Sequence, residues 1–211
     1  MKSITDFAHC IKTGWMAKMA LVISIGFGAS SAFAIDLNSA KDDLDYVRAF
    51  DVVENASRFV FDESPIFEDG MPAYGNPFIT EGYIYPYGFL DGRDGVFANG
   101  QPAYPEKVIG RWICRGVMIG EGAKTKTGPW VVSTQYYDFF DEPGYDPSKF
   151  TTSNNLVSEG YELVDLNVAY RRAITGGTGK YKKLQGDVMQ ELLGFGKQMN
   201  VRARFGIRPK R

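Results

Sequence analysis

The chain has 211 residues with 24 basic and 25 acidic side chains, a balance that gives no electrostatic reason to expect a nucleic-acid partner. Hydrophobic residues make up 44% and charged residues 23%, which excludes a disordered or fibrous chain. Two cysteines exclude a disulfide scaffold, one histidine excludes a histidine-rich metal site, and 14% aromatics with 24 glycines and 10 prolines fit short strands and turns.

Residues 1–34 read as an export signal. Lys12 and Lys18 flank the start of an apolar stretch from Met19 to Gly28, and Ala32-Phe33-Ala34 supplies a small-x-small cleavage pattern. The stretch is too short to cross a hydrocarbon core that needs about 20 residues. The expected location is therefore the periplasm or the exterior, without stable membrane insertion. Cleavage after Ala34 would remove His9 and Cys10 and leave Cys114 alone. A Ser/His/Asp or Cys/His relay and an internal disulfide are then unavailable to the mature chain.

Residues 35–56 are expected to form a short helical arm: Leu44, Val47 and Val52 lie near one stripe, Ser39 can cap the start, and Asp42 and Asp43 suit a first turn. From residue 57 to 211 the texture is that of a β domain. Strand-like runs fall at 58–62, 78–90, 108–119, 129–140, 159–165, 168–174, 186–193 and 200–207, separated by turn residues. Eight such runs predict an antiparallel sandwich or closed barrel, and no helical period between them supports parallel βαβ units. The connections 64–76, 91–107 and 141–157 are long and rich in Gly, Pro and Asp, as loops around a ligand mouth often are.

Alternation on the run Gly110–Ile119 puts Trp112, Cys114 and Met118 on one face and Arg111 and Arg115 on the other. The first three are expected to line the interior. Cys114 reads most simply as a small core hydrophobe. Tyr83, Tyr85 and Tyr87 share a face with Glu81, either as a pocket wall or as a packed outer surface at an oligomer contact. Tyr136 and Asp138 form a similar pair. Arg172, next to Tyr170 in alternation, is placed to bind a carboxylate or phenolate.

The most specific stretch is Ala173-Ile174-Thr175-Gly176-Gly177-Thr178-Gly179-Lys180-Tyr181, followed by Gly186. It fails as a phosphate loop, because Ile174 stands where the first glycine should and Tyr181 where Ser or Thr should. It fails as a dinucleotide fingerprint because no helix pattern follows. Physically it is a turn leaving a strand, with glycine backbones approaching a neighbour closely.

This turn resembles the signature of the allene oxide cyclase and dirigent protein superfamily. The order of segments is also similar: Phe61-Asp62-Glu63-Ser64-Pro65, the Gly110-led strand, Gln135-Tyr136-Tyr137-Asp138-Phe139, then Ser158-Glu159-Gly160. The resemblance spans roughly residues 57–207. It implies an all-β, eight-stranded antiparallel closed barrel around an apolar cavity, assembled as a homodimer or homotrimer. It also implies work on a hydrophobic or aromatic small molecule with no cofactor, and the missing histidines give no reason to expect a metal. Cyclases of the group close an epoxide-derived fatty acid, and dirigent proteins steer phenoxy radicals or quinone methides. In both, rate and stereochemistry come from orientation and a few fixed charges.

The cyclase branch carries a Glu followed two residues later by Asn. Asp62 stands at the comparable place, with Ser64 where Asn should be. Asp62, on this resemblance, and Tyr85 and Asp138, from their strand faces, are the catalytic candidates. Asp62 would stabilise positive charge or accept a proton, or else would cap the Ser-Pro turn. Tyr83, Trp112, Cys114, Met118, Tyr136 and Arg172 are the ligand-binding candidates. The expected function is cofactor-free cyclisation or isomerisation. The alternative is a dirigent-like or purely ligand-binding barrel without chemistry of its own.

Overall fold

The computed structural model of the protein describes residues 48–62, 67, 68, 70–149 and 152–210. The proposed export signal at 1–34, and residues 35–47 of the expected arm, lie outside them. Nine strands follow in chain order: β1 (Arg48–Glu54), β2 (Val60–Phe61), β3 (Pro77–Pro86), β4 (Gly110–Met118), β5 (Pro129–Phe139), β6 (Asn155–Leu163), β7 (Ala169–Gly177), β8 (Gly186–Phe195) and β9 (Val201–Pro209). Each pairs antiparallel with its neighbour in the order β1-β9-β8-β7-β6-β5-β4-β3, and β1 pairs back onto β3. This closes an eight-stranded barrel with no free edge among its staves. The two-residue β2 rides on β3 beyond β1, where Phe61 faces Phe78.

The helical expectation for 48–54 is overturned: this segment is β1, the strand that closes the barrel, so the β domain begins at Arg48 rather than at residue 57. Phe50, Val52 and Glu54 point inward while Asp51 and Val53 point outward, yet all five are buried. A strand covered on both faces loses the apolar–polar alternation that identifies strands, and the stripe through Leu44, Val47 and Val52 mimicked a helix instead.

One end of the interior is filled by rings. Phe50 stacks on Phe205 at 5.3 Å and meets Tyr137 and Phe139 edge-on at 5.5 and 5.1 Å. Arg48 lies over the Phe139 ring at 4.0 Å and donates to the Tyr181 hydroxyl at 3.2 Å. Tyr181 arrives there from the glycine turn after β7. Gly179 takes φ +52°, and a Cβ on it would stand 2.0 Å from the Ser153 carbonyl oxygen. Only glycine fits so near a neighbouring backbone. The close approach expected of that turn is therefore present.

The long segment between β3 and β4 folds back over the outside of β1 and β3. There Leu90, Val96 and Val108 pack on Val53, Tyr83 and Tyr85 as a second, smaller apolar cluster. Asp51 accepts from the Arg204 Nε at 2.9 Å and from the Leu90 amide at 3.0 Å, while Arg204 also holds Asp91 at 2.6 Å. The loop is thus pinned to the wall by a buried ion pair.

Candidate functional site

The inward faces of β3–β6 carry a polar row at mid-barrel. Register places Thr80 opposite Cys114, Cys114 opposite Gln135, and Gln135 opposite Ser158, all four buried. The Tyr137 hydroxyl bridges Gln135 Oε1 at 2.5 Å and Ser158 Oγ at 3.1 Å. Gln135 Nε2 donates to Gln190 Oε1 at 3.1 Å. Buried polar side chains belong in an apolar interior only when hydrogen-bonded, and this chain of contacts supplies partners for Gln135, Tyr137, Ser158 and Gln190.

Arg172 anchors the row from β7. Its Nε donates to Ser158 Oγ at 3.1 Å, Nη1 to the carbonyls of Gly160 and Tyr161 at 3.3 and 3.1 Å, and Nη2 to the Ser133 carbonyl and Oγ at 2.8 and 3.0 Å. A guanidinium has five N–H groups, so five bonds occupy all of them. Nη1 also stands 3.9 Å from Glu162 Oε1. Burial works against the charge, but Glu162, with smaller contributions from Tyr137, Cys114 and Tyr170, outweighs it and holds the guanidinium above its ordinary range. Glu162 Oε1 accepts from Ser133 Oγ at 2.5 Å and Cys114 Sγ at 3.2 Å, and Oε2 from Gln190 Nε2 at 3.3 Å.

Glu54 is the second inward carboxyl. Its Oε2 accepts from the Val201 amide at 3.0 Å. Burial pushes its carboxyl up to about 7, moderated by the Val201 amide and the nearby Thr80 hydroxyl and reinforced by Glu162. Burial likewise pushes the Cys114 thiol well up, so Cys114 is a neutral thiol rather than a nucleophilic thiolate. The phenols of Tyr83, Tyr85 and Tyr137 are all raised by burial and stay protonated.

Of the residues selected from sequence, the structure gathers Trp112, Cys114, Met118 and Arg172 in the barrel interior. Arg111 and Arg115 face outward, Arg111 in an ion pair with Glu81 and Arg115 over the Tyr136 ring at 5.6 Å. The other candidates lie elsewhere. Asp62 is exposed at the end of β2, its backbone carbonyl accepting from Asn76. Tyr83 and Tyr85 lie on the outer face under the folded-back loop, donating to the carbonyls of Gly100 and Gly95 at 2.7 Å each. What covers them is the chain's own loop. Tyr136 and Asp138 also face outward, Asp138 accepting from Asn155 at 2.6 Å.

Ser133, Gln135, Tyr137, Ser158, Glu162, Gln190 and Glu54 were not selected from sequence. On β5 the two faces read alike: Val131, Ser133, Gln135, Tyr137 and Phe139 on one, Trp130, Val132, Thr134, Tyr136 and Asp138 on the other. The pattern of apolar ends around a polar middle marks the inner face, and it was the usable signal.

At the end away from the Phe50 rings, Phe59 stacks on Phe78 at 5.7 Å, with Phe61 at 5.8 Å from Phe59. Phe59 and Phe61 are only half-buried. On the outside of β3–β6 an open groove of about 510 Å³ is lined by Arg115, Val117, Val132, Thr134 and Glu159 among others. Among the described residues, no group of three or more His, Cys, Asp or Glu is placed to hold a metal ion, and no helix is long and apolar enough to cross a membrane.

No family model and no curated protein matches this sequence. Solved structures do resemble it. The pterocarpan synthase dirigent protein PsPTS1 superposes with a TM-score of 0.52 at 12% identity, covering 77% of this chain and 94% of its own. The pterocarpan synthase dirigent protein GePTS1 gives 0.47 at 10% identity over 87% and 96%, and a pyocyanin demethylase gives 0.43 at 13% over 74% and 95%. At such identities the likeness to PsPTS1 establishes the dirigent-type barrel fold and says nothing of the reaction.

Proposed function

We propose that this protein is an exported barrel that takes a hydrophobic small molecule into its interior and steers or catalyses a cofactor-free ring closure or isomerisation. The observation that carries this reading is the buried polar row at mid-barrel, set between apolar ends, with the Glu54 carboxyl held near neutrality beside it. An acid poised near the working pH can give a proton to one atom and take it from another. The half-buried Phe59 and Phe61 end is the entrance in this reading, and the ring-filled end is the floor. Arg172 and Glu162 hold the wall in shape; Glu54 does the proton work.

One observation favours the alternative of binding without chemistry: the Arg172 donors are all taken up within the protein, as are both Glu162 oxygens. The two readings separate on an ortho-quinone methide with a pendant hydroxyl, which closes spontaneously to a racemic cyclic ether. Steering predicts an excess of one enantiomer that falls in Glu54→Ala. A racemic product formed at the uncatalysed rate, with the probe still bound, would leave only the binding role.

A further inference from the structure

Glu54, Gly82 and Trp112 are cross-strand neighbours on the inner faces of β1, β3 and β4, and Thr80 is the next inward residue on β3. Gly82 has no side chain, and a Cβ there would stand 2.2 Å from the Val53 carbonyl oxygen. The two strands can therefore approach closely, and the side chains of Glu54 and Trp112 flank a position that carries none. Trp112 is 4% exposed and Thr80 3% exposed. The indole Nε1 and the Thr80 hydroxyl nevertheless make no hydrogen bond within the protein. The Thr80 hydroxyl lies beside the Glu54 carboxyl. Buried donors without partners are rare and costly, and they call for an acceptor that the folded chain does not itself provide.

We propose that Trp112 and Glu54, with Thr80, form a hydrogen-bonding subsite for the carbonyl oxygen of an apolar aromatic ketone. This rests on the reading of the barrel as a small-molecule binder and names the class of its ligand. The indole N–H is a donor only, which selects an acceptor oxygen over a hydroxyl or ammonium hydrogen. Glu54 adds a second donor from its neutral form, and Oε2 stays fixed by the Val201 amide. The apolar body of the ligand packs toward Met118, Val131 and Phe78, which share this interior. An anionic ligand is disfavoured, because Glu54 and Glu162 are both buried inward carboxyls and the Arg172 donors are occupied.

The test compares 2-acetylnaphthalene with 2-ethylnaphthalene, near-isosteres that differ by the carbonyl, using titration calorimetry on the whole protein and on Trp112→Phe and Glu54→Gln. The ketone is expected to bind ~10-fold more tightly to the wild type, the size of one hydrogen bond to an otherwise unpaired buried donor. Its carbonyl stretch should fall below the value in an apolar solvent. Trp112→Phe should abolish most of that preference, read as the ratio of the two affinities on the same variant, and Glu54→Gln, which keeps a donor, should retain it. Equal binding of the two probes, or an unshifted stretch, overturns the subsite while leaving the binding barrel intact. A preference that survives Trp112→Phe overturns the role of the indole. If neither probe binds, both the subsite and the binding barrel fall. The stretch on wild-type protein decides the matter even if a variant fails to fold.

Discussion

Glu54 and Glu162 are two buried carboxyls of one barrel interior with opposite surroundings. Glu162 stands 3.9 Å from the Arg172 guanidinium and accepts from Ser133, Cys114 and Gln190. Glu54 rests on the neutral amide of Val201. On this account Glu162 is architecture and Glu54 is the group with a proton to give.

Replacing Arg172 with alanine should therefore destabilise the fold strongly. It would leave the Glu162 carboxylate and three backbone carbonyls without their donor, and breaking a buried pair typically costs about 3–5 kcal/mol. Urea unfolding measures this. A loss below about 1 kcal/mol would show that the guanidinium does not tie β5, β6 and β7 together.

Glu54 makes stability fall as pH rises. Its folded-state pKa lies at about 7, above the ordinary 4.5, so between those values the folded chain binds the extra proton. The stabilisation is complete below about pH 4.5, decays through neutrality and is gone above about pH 7, a change of roughly 3 kcal/mol at most. The difference between wild type and Glu54→Gln, measured by urea unfolding from pH 4.5 to 8, should trace that fall. A flat difference would contradict it.

Cys114 should behave as an inert thiol. Burial and the Glu162 carboxylate both disfavour its thiolate, and thiolates are the reactive form. In a Cys10→Ser background, a thiol reagent at pH 7.5 should label the protein only at the rate of unfolding. Rapid labelling of the folded chain would place Cys114 in an open, activated setting.

The loop over Tyr83 and Tyr85 depends on the Asp51–Arg204 pair. Arg204→Ala strands the fully buried Asp51 carboxylate and should cost about 3 kcal/mol or more. The first proteolytic cuts should fall between residues 87 and 109, where the wild type resists.

Much of the barrel could be read from sequence because seven of its staves alternate cleanly or end on turn residues, and because the glycine turn at 176–179 admits few other geometries. The closing stave could not. β1 is covered inside by the Phe50 cluster and outside by the folded-back loop, so its burial carries no period. The site was readable only where the two faces of a strand differ in kind. On β4, arginines opposite Trp112, Cys114 and Met118 settle which face turns inward. On β3, Tyr83 and Tyr85 look like a pocket wall but lie outside, because the loop that covers them is distant in sequence. Asp62 was drawn in by the motif around it, whereas the inward carboxyl on this side comes from Glu54, eight residues earlier.

The most direct test of the account is where a ligand sits. Intermolecular nuclear Overhauser contacts between bound 2-acetylnaphthalene and assigned side chains should connect the probe to Met118, Val131 and Trp112 inside the barrel. Contacts confined to Val117, Val132 and Thr134 in the outer groove, or to Tyr83 and Tyr85 under the loop, would contradict it.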